Sequence, residues 1–286
     1  MSRKRKKRKH TVGGIIRGVI LIVALAVFLF SGYQLFQIYG EYKKGTDEYD
    51  QIRHEVFQVR TDVQESSPIQ SQDEVNQKQV IEKKGPILVN GIELSTLLGT
   101  RYQCDFDQLL SINSEVVGWI RVEGTNINYP MVQAEDNEKY LRMTLEGKWN
   151  NAGSIFVDYR VQQPFISENT MIHGHNQRNK AMFHDLTLYM EKEFWESHPY
   201  VSILTPEKNY LYQIYSCYQS PNVSKTYNCQ FSGEEQYQDY LNYTMEQSLY
   251  DTGISVSSSD RIITLSTCNN DWEDTRMVVH AKLISG

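Results

Sequence analysis

The chain begins with a basic tail that is followed by a long apolar run. Residues 12–38 contain one charged residue, Arg17, and residues 18–30 are Val, Ile, Leu, Ala and Phe almost throughout. A helix of about 20 apolar residues is long enough to cross a bilayer. Positive charge before such a run keeps the N-terminus in the cytoplasm. The pattern predicts a cytoplasmic tail at 1–11, a single transmembrane anchor at 12–38 and a protein body outside the cell.

A cleaved signal peptide is the alternative interpretation of the same run. Its apolar region would be shorter, and a small-x-small cleavage site would follow it. Large and polar residues follow here instead, at positions 33–37. The retained anchor therefore fits the pattern better.

Residues 39–99 change from a helical pattern to a polar one. Tyr49, Ile52, Val56, Val59 and Val63 are spaced by three or four positions, which predicts a juxtamembrane helix over 39–64 that packs on the later domain or stands as a stalk. Residues 65–84 are rich in Ser, Gln, Glu and Lys and predict a flexible linker. Apolar residues return over 85–99, which we assign to an extended segment at the domain edge.

Short β-type segments separated by turn residues fill residues 100–286. Strands are predicted at 116–122, 127–132, 153–158, 170–173, 200–204, 209–217, 261–268 and 276–283. Helical segments are predicted at 106–112, 136–141 and 231–250, and residues 181–194 carry an amphipathic stripe of Met182, Phe183, Leu186, Met190 and Phe194. No βαβ rhythm and no internal repeat is present. The pattern predicts a mainly β domain, either a closed barrel or a sandwich.

The final two strands place two reactive side chains near each other. Ile263 and Leu265 point to one face of the first strand, and Cys268 points to the other. In the second strand, Arg276 lies opposite the apolar face. Both Cys268 and Arg276 are then expected off the core, as a candidate nucleophile and oxyanion partner. A lone Cys is more often a small buried hydrophobe, and an Arg at a strand start is usually solvated.

The charge distribution and the cysteine spacing argue against two classes of function, nucleic-acid binding and zinc binding. Of the 29 Lys and Arg residues, eight lie in residues 1–17, which hold no acid, so 21 remain against all 35 Asp and Glu, a net charge of −14. Such an acidic body argues against a nucleic-acid partner. The four cysteines form no C-x-x-C pair, so we expect no zinc site and no other cofactor. A Cys217–Cys229 disulfide is possible.

Three motifs occur in order along the chain: Gly174-His175, Thr264-Leu265-Ser266-Thr267-Cys268, and Arg276 eight residues after the thiol. They resemble the G-H pair, the T-L-x-T-C strand and the arginine of the sortases, the membrane-anchored cysteine transpeptidases of Gram-positive bacteria. Further segments are similar to class B sortases in particular: residues 113–120, 124–130, 136–141, 153–158 and 182–183. The resemblance covers roughly residues 100–284.

The resemblance implies a closed eight-stranded barrel with flanking helices and an active groove on its outer wall. It implies that Cys268 attacks a scissile carbonyl, that His175 acts as acid and base, and that Arg276 holds the oxyanion or the substrate backbone. The implied reaction cuts a C-terminal sorting motif between Thr and Gly and joins the Thr to a peptidoglycan-precursor amine. Alternatives are a pilin polymerase, a hydrolytic thiol peptidase or a non-catalytic binding barrel.

Four further residues are candidates for the peptide groove. The resemblance suggests a substrate contact at Ser266 and places Asn137 and Leu141 along the groove, while strand pairing, turn capping and core packing are the simpler roles. His173 stands where class B relatives carry Tyr, and we expect it to line the groove. Asn269 replaces an acidic residue that often follows the thiol. Residues 216–230 are expected to hold pocket residues that choose the motif, and Trp272 to touch or cover the substrate.

Overall fold

The computed structural model describes residues 12–59, 88–89, 92–93, 102–268 and 275–286. Its contacts divide the chain into two units, Met1–Lys44 and Gly45–Gly286. The first consists, where it is described, of most of helix α1 (Val12–Val56). Within the described residues, α1 is the one helix that is long and apolar enough to cross a membrane. Large apolar side chains from Ile16 to Ile38 are exposed. By length and composition, α1 could serve as a membrane anchor.

The last turns of α1 belong to the second unit and pack in its core. Tyr49, Ile52 and Val56 are each at most 2% exposed and are members of the main apolar cluster. The apolar face predicted from their spacing therefore packs on the domain and does not stand free as a stalk. The helix predicted to reach residue 64 is shorter, because Phe57–Val59 forms a strand that pairs antiparallel with Tyr102–Cys104. Residues 60–64 lie outside the described part, as does the predicted linker at 65–84.

Four short strands of the described chain precede the main sheet. They are β1 (Phe57–Val59), β2 (Leu88–Val89), β3 (Ile92–Glu93) and β4 (Tyr102–Cys104). β2 and β3 pair antiparallel with each other, and β1 pairs with β4. The extended character expected over 85–99 is seen at the four residues of β2 and β3 that the structure describes.

Helices and 3₁₀ turns flank the sheet. In the part of the chain that the structure describes, α1 is followed by α2 (Phe106–Ile112), α3 (Lys139–Arg142), the 3₁₀ helix His184–Met190, α4 (Lys192–Ser197), the 3₁₀ turn Lys225–Tyr227 and α5 (Glu234–Glu246). Helix α2 is capped at its N-terminus by Asp105, whose carboxylate accepts from the Gln108 amide at 2.9 Å. The amphipathic stripe at 181–194 is interrupted: Met182 has φ 59° and Met190 is 44% exposed.

Eight strands close into a barrel. They are β5 (Val116–Arg121), β6 (Asn128–Val132), β7 (Ile155–Val157), β8 (Asn169–Gly174), β9 (Tyr200–Leu204), β10 (Asn209–Pro221), β11 (Ile262–Cys268) and β12 (Thr275–Ser285). Their order around the barrel is β10-β12-β11-β8-β7-β6-β5-β9. The pairs β6–β7 and β8–β11 are parallel, a feature that the sequence rhythm did not indicate.

The barrel interior holds the main core, and a second cluster covers part of its outside. Ile263, Leu265 and Val279 face the interior, as the period-two pattern predicted. The opposite face of β11 and β12 was expected to leave the core, but His280 and Val278 on that face are fully buried. Helix α5 packs there through a second apolar cluster comprising Tyr215, Tyr237, Tyr240, Leu241, Val256 and Ile262. The ends of these strands near Cys268 and Arg276 approach a groove.

Candidate active site

Three adjacent strands bring the predicted catalytic positions to one end of the barrel. In the register of β11 and β12, Cys268 pairs with Arg276. In the parallel register of β11 and β8, Ser266 pairs with His173, and His175 comes directly after β8. The structure describes the backbone of Cys268, while Asn269 and Trp272 lie outside the described residues. Three positions far apart in sequence thus meet at the ends of neighbouring strands.

A groove of about 560 Å³ runs along these strand ends. Its walls contain two of the three predicted catalytic residues, His175 and Arg276, and all four predicted substrate residues. The lining residues are Asn137, Glu138, Leu141, Phe156, Asp158, Arg160, His173, Gly174, His175, Asn222, Val223, Ser224, Tyr227, Asn228, Ser266 and Arg276. The segment 222–228 is the part of the expected region 216–230 that reaches the groove.

The imidazole of His175 is oriented by a backbone carbonyl. Its Nε2 lies 2.8 Å from the Leu141 oxygen. Because a carbonyl oxygen only accepts, Nε2 carries the hydrogen, and the neutral ring leaves Nδ1 as an acceptor. Burial lowers the pKa of His175 below 6.5, the Leu141 bond opposes this, and the positive charges of Arg142 and Arg276 lower it further. Near pH 7 this environment favours the neutral ring, with Nδ1 ready to take a proton.

A buried carboxylate joins three sides of the groove. The Asp158 side chain accepts from Arg160 Nε at 2.8 Å, from Asn137 Nδ2 at 2.9 Å and from His173 Nε2 at 3.1 Å. Arg160 Nη2 also donates to the Tyr227 carbonyl at 3.2 Å. We call Asn137, Asp158, Arg160 and His173 the Asp158 cluster. It links the α3 side of the groove, its floor and the segment 222–228.

Charge pairing keeps this carboxylate ionised. Burial raises the pKa of Asp158, but the hydrogen bonds from Arg160 and His173 outweigh burial and hold the pKa well below its usual value. His173 Nε2 must then donate to the carboxylate, which fixes its tautomer as long as the ring is neutral. His173 therefore lines the groove with its ring fixed by the hydrogen bond to Asp158.

The other predicted substrate residues differ in what they can offer a ligand. Ser266 is 2% exposed, and its hydroxyl has no hydrogen-bond partner among the described residues. Leu141 is 39% exposed. Both polar atoms of the Asn137 amide are already bonded, to Asp158 and to the Tyr159 amide at 3.1 Å. Among these three residues, Ser266 is thus the one whose side-chain polar atom has no partner among the described residues.

The thiols other than Cys268 are free and weakly acidic. Cys217 and Cys229 form no disulfide, so the pairing considered from the sequence is not present. Burial raises the pKa of Cys217 to about 12 and that of Cys229 to about 11. Burial also raises the pKa of Cys104 to about 12. Such thiols are largely protonated at neutral pH and react slowly.

Three other histidines, His184, His198 and His280, lie away from the groove lining. His280 is fully buried, its ring nitrogens lie 2.9 Å from Thr264 Oγ1 and 3.0 Å from the Tyr218 hydroxyl, and burial lowers its pKa to about 3. His198 stacks on Phe194, with 4.2 Å between ring centroids. The third is His184, whose ring bonds Asn176. Within the described residues, no group of three or more His, Cys, Asp or Glu side chains is placed to hold a metal ion.

Sequence reasoning missed Asp158 and Arg160 as parts of the site. A usable signal was present, because an Asp that ends an apolar run and is followed two positions later by Arg suggests a buried ion pair. The segment 222–228 gave no such signal. Its contact with the groove depends on the length of β10 and on the tertiary bond from Arg160 to Tyr227.

Comparison with known proteins links this geometry to one family. The family model for the sortase domain matches residues 120–284. Sortase B of Listeria monocytogenes is 38% identical over 179 residues, which covers 62% of this chain and 73% of that protein. The family match includes both strands that carry Cys268 and Arg276.

Solved structures share the fold. Sortase B from B. anthracis aligns with TM-score 0.65 and 31% identity, covering 87% of this chain and all of that one. The Staphylococcus aureus sortase B–substrate complex aligns with TM-score 0.59 and 33% identity over 63% of this chain and 84% of that one. A sortase B complexed with triglycine aligns with TM-score 0.59 and 33% identity, covering 63% of this chain and 85% of that one. The expected closed eight-stranded barrel is confirmed.

Proposed function

Because the chain belongs to the sortase family, and to its class B, we propose that it sorts surface proteins to the cell wall. As a member of this family it is a cysteine transpeptidase. The proposed reaction cleaves a C-terminal sorting motif between Thr and Gly and transfers the new acyl end to an amine of a cell-wall precursor. The observation that carries the proposal is the pairing of Cys268 with Arg276 at the end of the groove that also contains His175.

In the first half of the proposed reaction, the sulfur of Cys268 attacks the carbonyl carbon of Thr. A C–S bond forms, and the carbonyl oxygen becomes an oxyanion that accepts hydrogen bonds from Arg276. His175 gives the proton taken from the thiol to the departing amine, and the C–N bond breaks. The product is a thioester on Cys268 together with the released C-terminal fragment.

In the second half, an incoming amine attacks the thioester carbon. His175 takes the proton of this amine, and a second oxyanion forms beside Arg276. When this oxyanion collapses, the C–S bond breaks and His175 returns the proton to the sulfur, which restores the thiol. Since Nε2 is held by the Leu141 carbonyl, Nδ1 is the nitrogen that exchanges protons in both halves. Water in place of the amine would give hydrolysis by the same steps.

Substrate contacts follow from the groove. The Ser266 hydroxyl, which has no partner among the described residues, bonds the peptide, and the exposed side of Leu141 packs against an apolar part of it. His173 presents its ring to the groove, and Asn137 holds the wall through Asp158. The segment 222–228 forms the opposite rim and contributes to the choice of motif.

Two relatives support the choice of partners. One solved sortase B carries a substrate and another is complexed with triglycine, so a sorting-signal peptide and an amine acceptor are the partners proposed here. The apolar helix α1 and the basic residues 1–11 support a single-pass anchor with a cytoplasmic N-terminus and an extracellular catalytic domain.

The test is product analysis with the full-length protein. Peptides containing Thr-Gly with varied flanking residues are incubated with triglycine, with a lysine-bearing peptide or with no added amine, and products are identified by mass spectrometry. We expect a Thr–triglycine amide, and no product with Cys268→Ala. Preference for the lysine amine would indicate a pilin polymerase, and acid product alone a peptidase.

A non-catalytic barrel predicts a different set of results. None of the peptides would be cleaved, and iodoacetamide would label Cys268 no faster than Cys104, Cys217 and Cys229. The transpeptidase predicts preferential labelling of Cys268, because burial raises the pKa of the other three thiols.

A further inference from the structure

Tyr49, in the last turns of α1, hydrogen-bonds the segment 140–154, whose Leu141 lines the groove. Tyr49 is 2% exposed, and its hydroxyl donates to the Gly153 carbonyl at 2.7 Å and lies 2.9 Å from Ser154 Oγ. Its ring packs edge-on against Tyr129, with centroids 5.5 Å apart. A buried hydroxyl that donates to a backbone carbonyl fixes the position of that backbone, because loss of the donor leaves the carbonyl unsatisfied.

The segment 140–154 is closed on itself by hydrogen bonds. The Ser154 amide donates to the Tyr140 carbonyl at 3.0 Å, and Ser154 Oγ donates to the Met143 carbonyl at 2.8 Å. Gly153 has φ 58°, and a Cβ added there would lie 2.5 Å from the Tyr140 oxygen and 2.8 Å from the Leu141 oxygen. Residues 140–141 and 153–154 therefore form one compact backbone unit.

The same unit bonds the proposed acid–base residue from its other side. The Leu141 carbonyl accepts from His175 Nε2 at 2.8 Å. The path from α1 to the imidazole runs from the Tyr49 hydroxyl through Gly153 and Ser154, then Leu141, to His175. Each step is a hydrogen bond, a peptide link or a close backbone contact.

We propose that Tyr49 is a positioning residue for His175, and that the end of α1 is part of the support of the active site. This inference rests on the role given to His175 in the proposed function. The Tyr49 hydroxyl keeps residues 153–154 against residues 140–141, and so keeps the Leu141 carbonyl where it selects the Nε2–H form of the ring. A helix that also carries the candidate membrane span thereby contributes to proton transfer.

The test compares full-length wild type with Tyr49→Phe, which keeps the ring and its contact with Tyr129. ¹⁵N chemical shifts of the histidine rings, with His175 assigned by a His175→Asn variant, report which nitrogen carries the hydrogen. We expect a smaller share of the Nε2–H form in Tyr49→Phe. Loss of the Leu141 bond also removes an influence that raises the pKa of His175, so its titration midpoint moves to lower pH.

Kinetics supply a second readout. We expect kcat to fall about tenfold with KM nearly unchanged, because a small misplacement of a catalytic group costs rate before it costs binding. The matched control is Tyr212→Phe, which removes a buried hydroxyl that has no hydrogen-bond partner among the described residues. It should leave the shifts, the midpoint and kcat as in wild type. Ser154→Ala removes the hydroxyl that contacts Tyr49 and donates to the Met143 carbonyl, and it should shift the ring in the same direction by less.

The outcomes separate this inference from the proposed function. An unchanged His175 tautomer and midpoint in a folded Tyr49→Phe protein would overturn the positioning role, even if the enzyme is fully active. A wild-type protein that cleaves no peptide would overturn the proposed function, while the NMR comparison would still decide whether Tyr49 orients His175. Should Tyr49→Phe fail to fold, the same comparison with Ser154→Ala decides: no change there contradicts the positioning role.

Discussion

Residues in this groove are held by bonds made inside its walls. Asp158 is fully buried, and its oxygens bond Arg160, Asn137 and His173. A buried ionised group is stable only when its hydrogen bonds are satisfied, so these residues fix one another before any substrate enters. Ser266, in contrast, is buried, and its hydroxyl has no partner among the described residues. The cost of that unmet bond is recovered when a ligand supplies a partner.

The proposed role of Arg276 predicts that activity depends on the shape of its guanidinium. A guanidinium offers several donors in a planar fork, whereas an ammonium is a compact point charge. We expect Arg276→Lys to lower kcat by about 10²-fold, the usual loss when one oxyanion donor is removed. The measurement is peptide cleavage under saturating substrate. Arg178→Lys, a change at an exposed position outside the groove lining, should keep kcat; equal activity of all three proteins would contradict the role.

Buried His280 predicts a dependence of stability on pH. An unfolded His takes up a proton below about pH 6.5, whereas burial lowers the pKa of His280 in the folded protein to about 3. Between these values the unfolded state binds more protons, so this residue lowers the free energy of unfolding by up to about 1.4 kcal/mol for each pH unit of acidification.

Urea unfolding of the detergent-solubilised protein between pH 7 and 4 measures this effect. His280→Gln should flatten the decline of stability with acid, although it should also lower stability at pH 7 because it disturbs the bonds to Thr264 and Tyr218. His198→Gln, which changes a ring stacked on Phe194, is measured alongside to show whether replacing any histidine flattens the slope. Parallel curves of unfolding free energy against pH for wild type and His280→Gln would show that His280 does not cause the loss of stability in acid.

At the scale of elements, the strands could be predicted from the sequence, but the packing of α5 on the outer faces of β11 and β12 could not. β9 has the bounds that the pattern gave, and β11 differs by one residue, because alternation directly reports which side faces a core. The outer faces of β11 and β12 were misjudged, since a polar His280 or Thr264 beneath α5 looks the same in sequence as one facing water. Only the tertiary network of hydroxyls and rings accounts for their burial.

The groove, too, could be predicted only in part from the sequence. His175, Cys268 and Arg276 carry local motifs, and their strands place them together once the register is known. The Asp158 cluster and the segment 222–228 depend on contacts between distant elements, which no local pattern reports. The helix predicted over 39–64 ended early because a strand pairing with Tyr102–Cys104 competes with helical periodicity.

Two glycines with positive φ angles test the segment next to the groove. Gly153 has φ 58° and Gly147 has φ 76°, so any other residue is strained at both by about 1–2 kcal/mol. A Cβ at Gly153 would also collide with the Tyr140 and Leu141 carbonyls, whereas one at Gly147 meets nothing within 4 Å.

We therefore expect Gly147→Ala to lower the unfolding free energy by about 1 kcal/mol with little loss of kcat. Gly153→Ala should lower it further and should also reduce kcat, because the Leu141 carbonyl that bonds His175 must move. Urea unfolding and peptide cleavage by the same preparations measure both effects. Equal losses at the two positions would mean that the close carbonyl contacts are unimportant.

At the scale of the whole molecule, charge and apolar residues are sharply divided along the chain. Basic residues are concentrated before an exposed apolar helix, and the remainder is acidic. This division suits an anchored enzyme that works outside the cell. We expect the full-length protein to stay with carbonate-washed membranes and to be released by detergent.

A charge placed in the apolar run should abolish this retention. The double change Leu21→Arg and Leu25→Arg costs roughly 2.5–3.5 kcal/mol per residue at the centre of a spanning helix, and we expect the variant in the soluble fraction. The control replaces Leu110, an exposed residue of α2, by Arg and should remain in the membrane. Release of the wild-type protein by carbonate would contradict the anchor.

The most direct test of the account is to trap the acyl-enzyme. The full-length protein is mixed with a cleavable peptide without added amine, quenched in acid and digested, and the modified residue is identified by tandem mass spectrometry. The account predicts the acyl group of the peptide as a thioester on Cys268, discharged by triglycine and absent from Cys268→Ala. An acyl group on Cys104, Cys217 or Cys229, or undiminished turnover by Cys268→Ala, would contradict it.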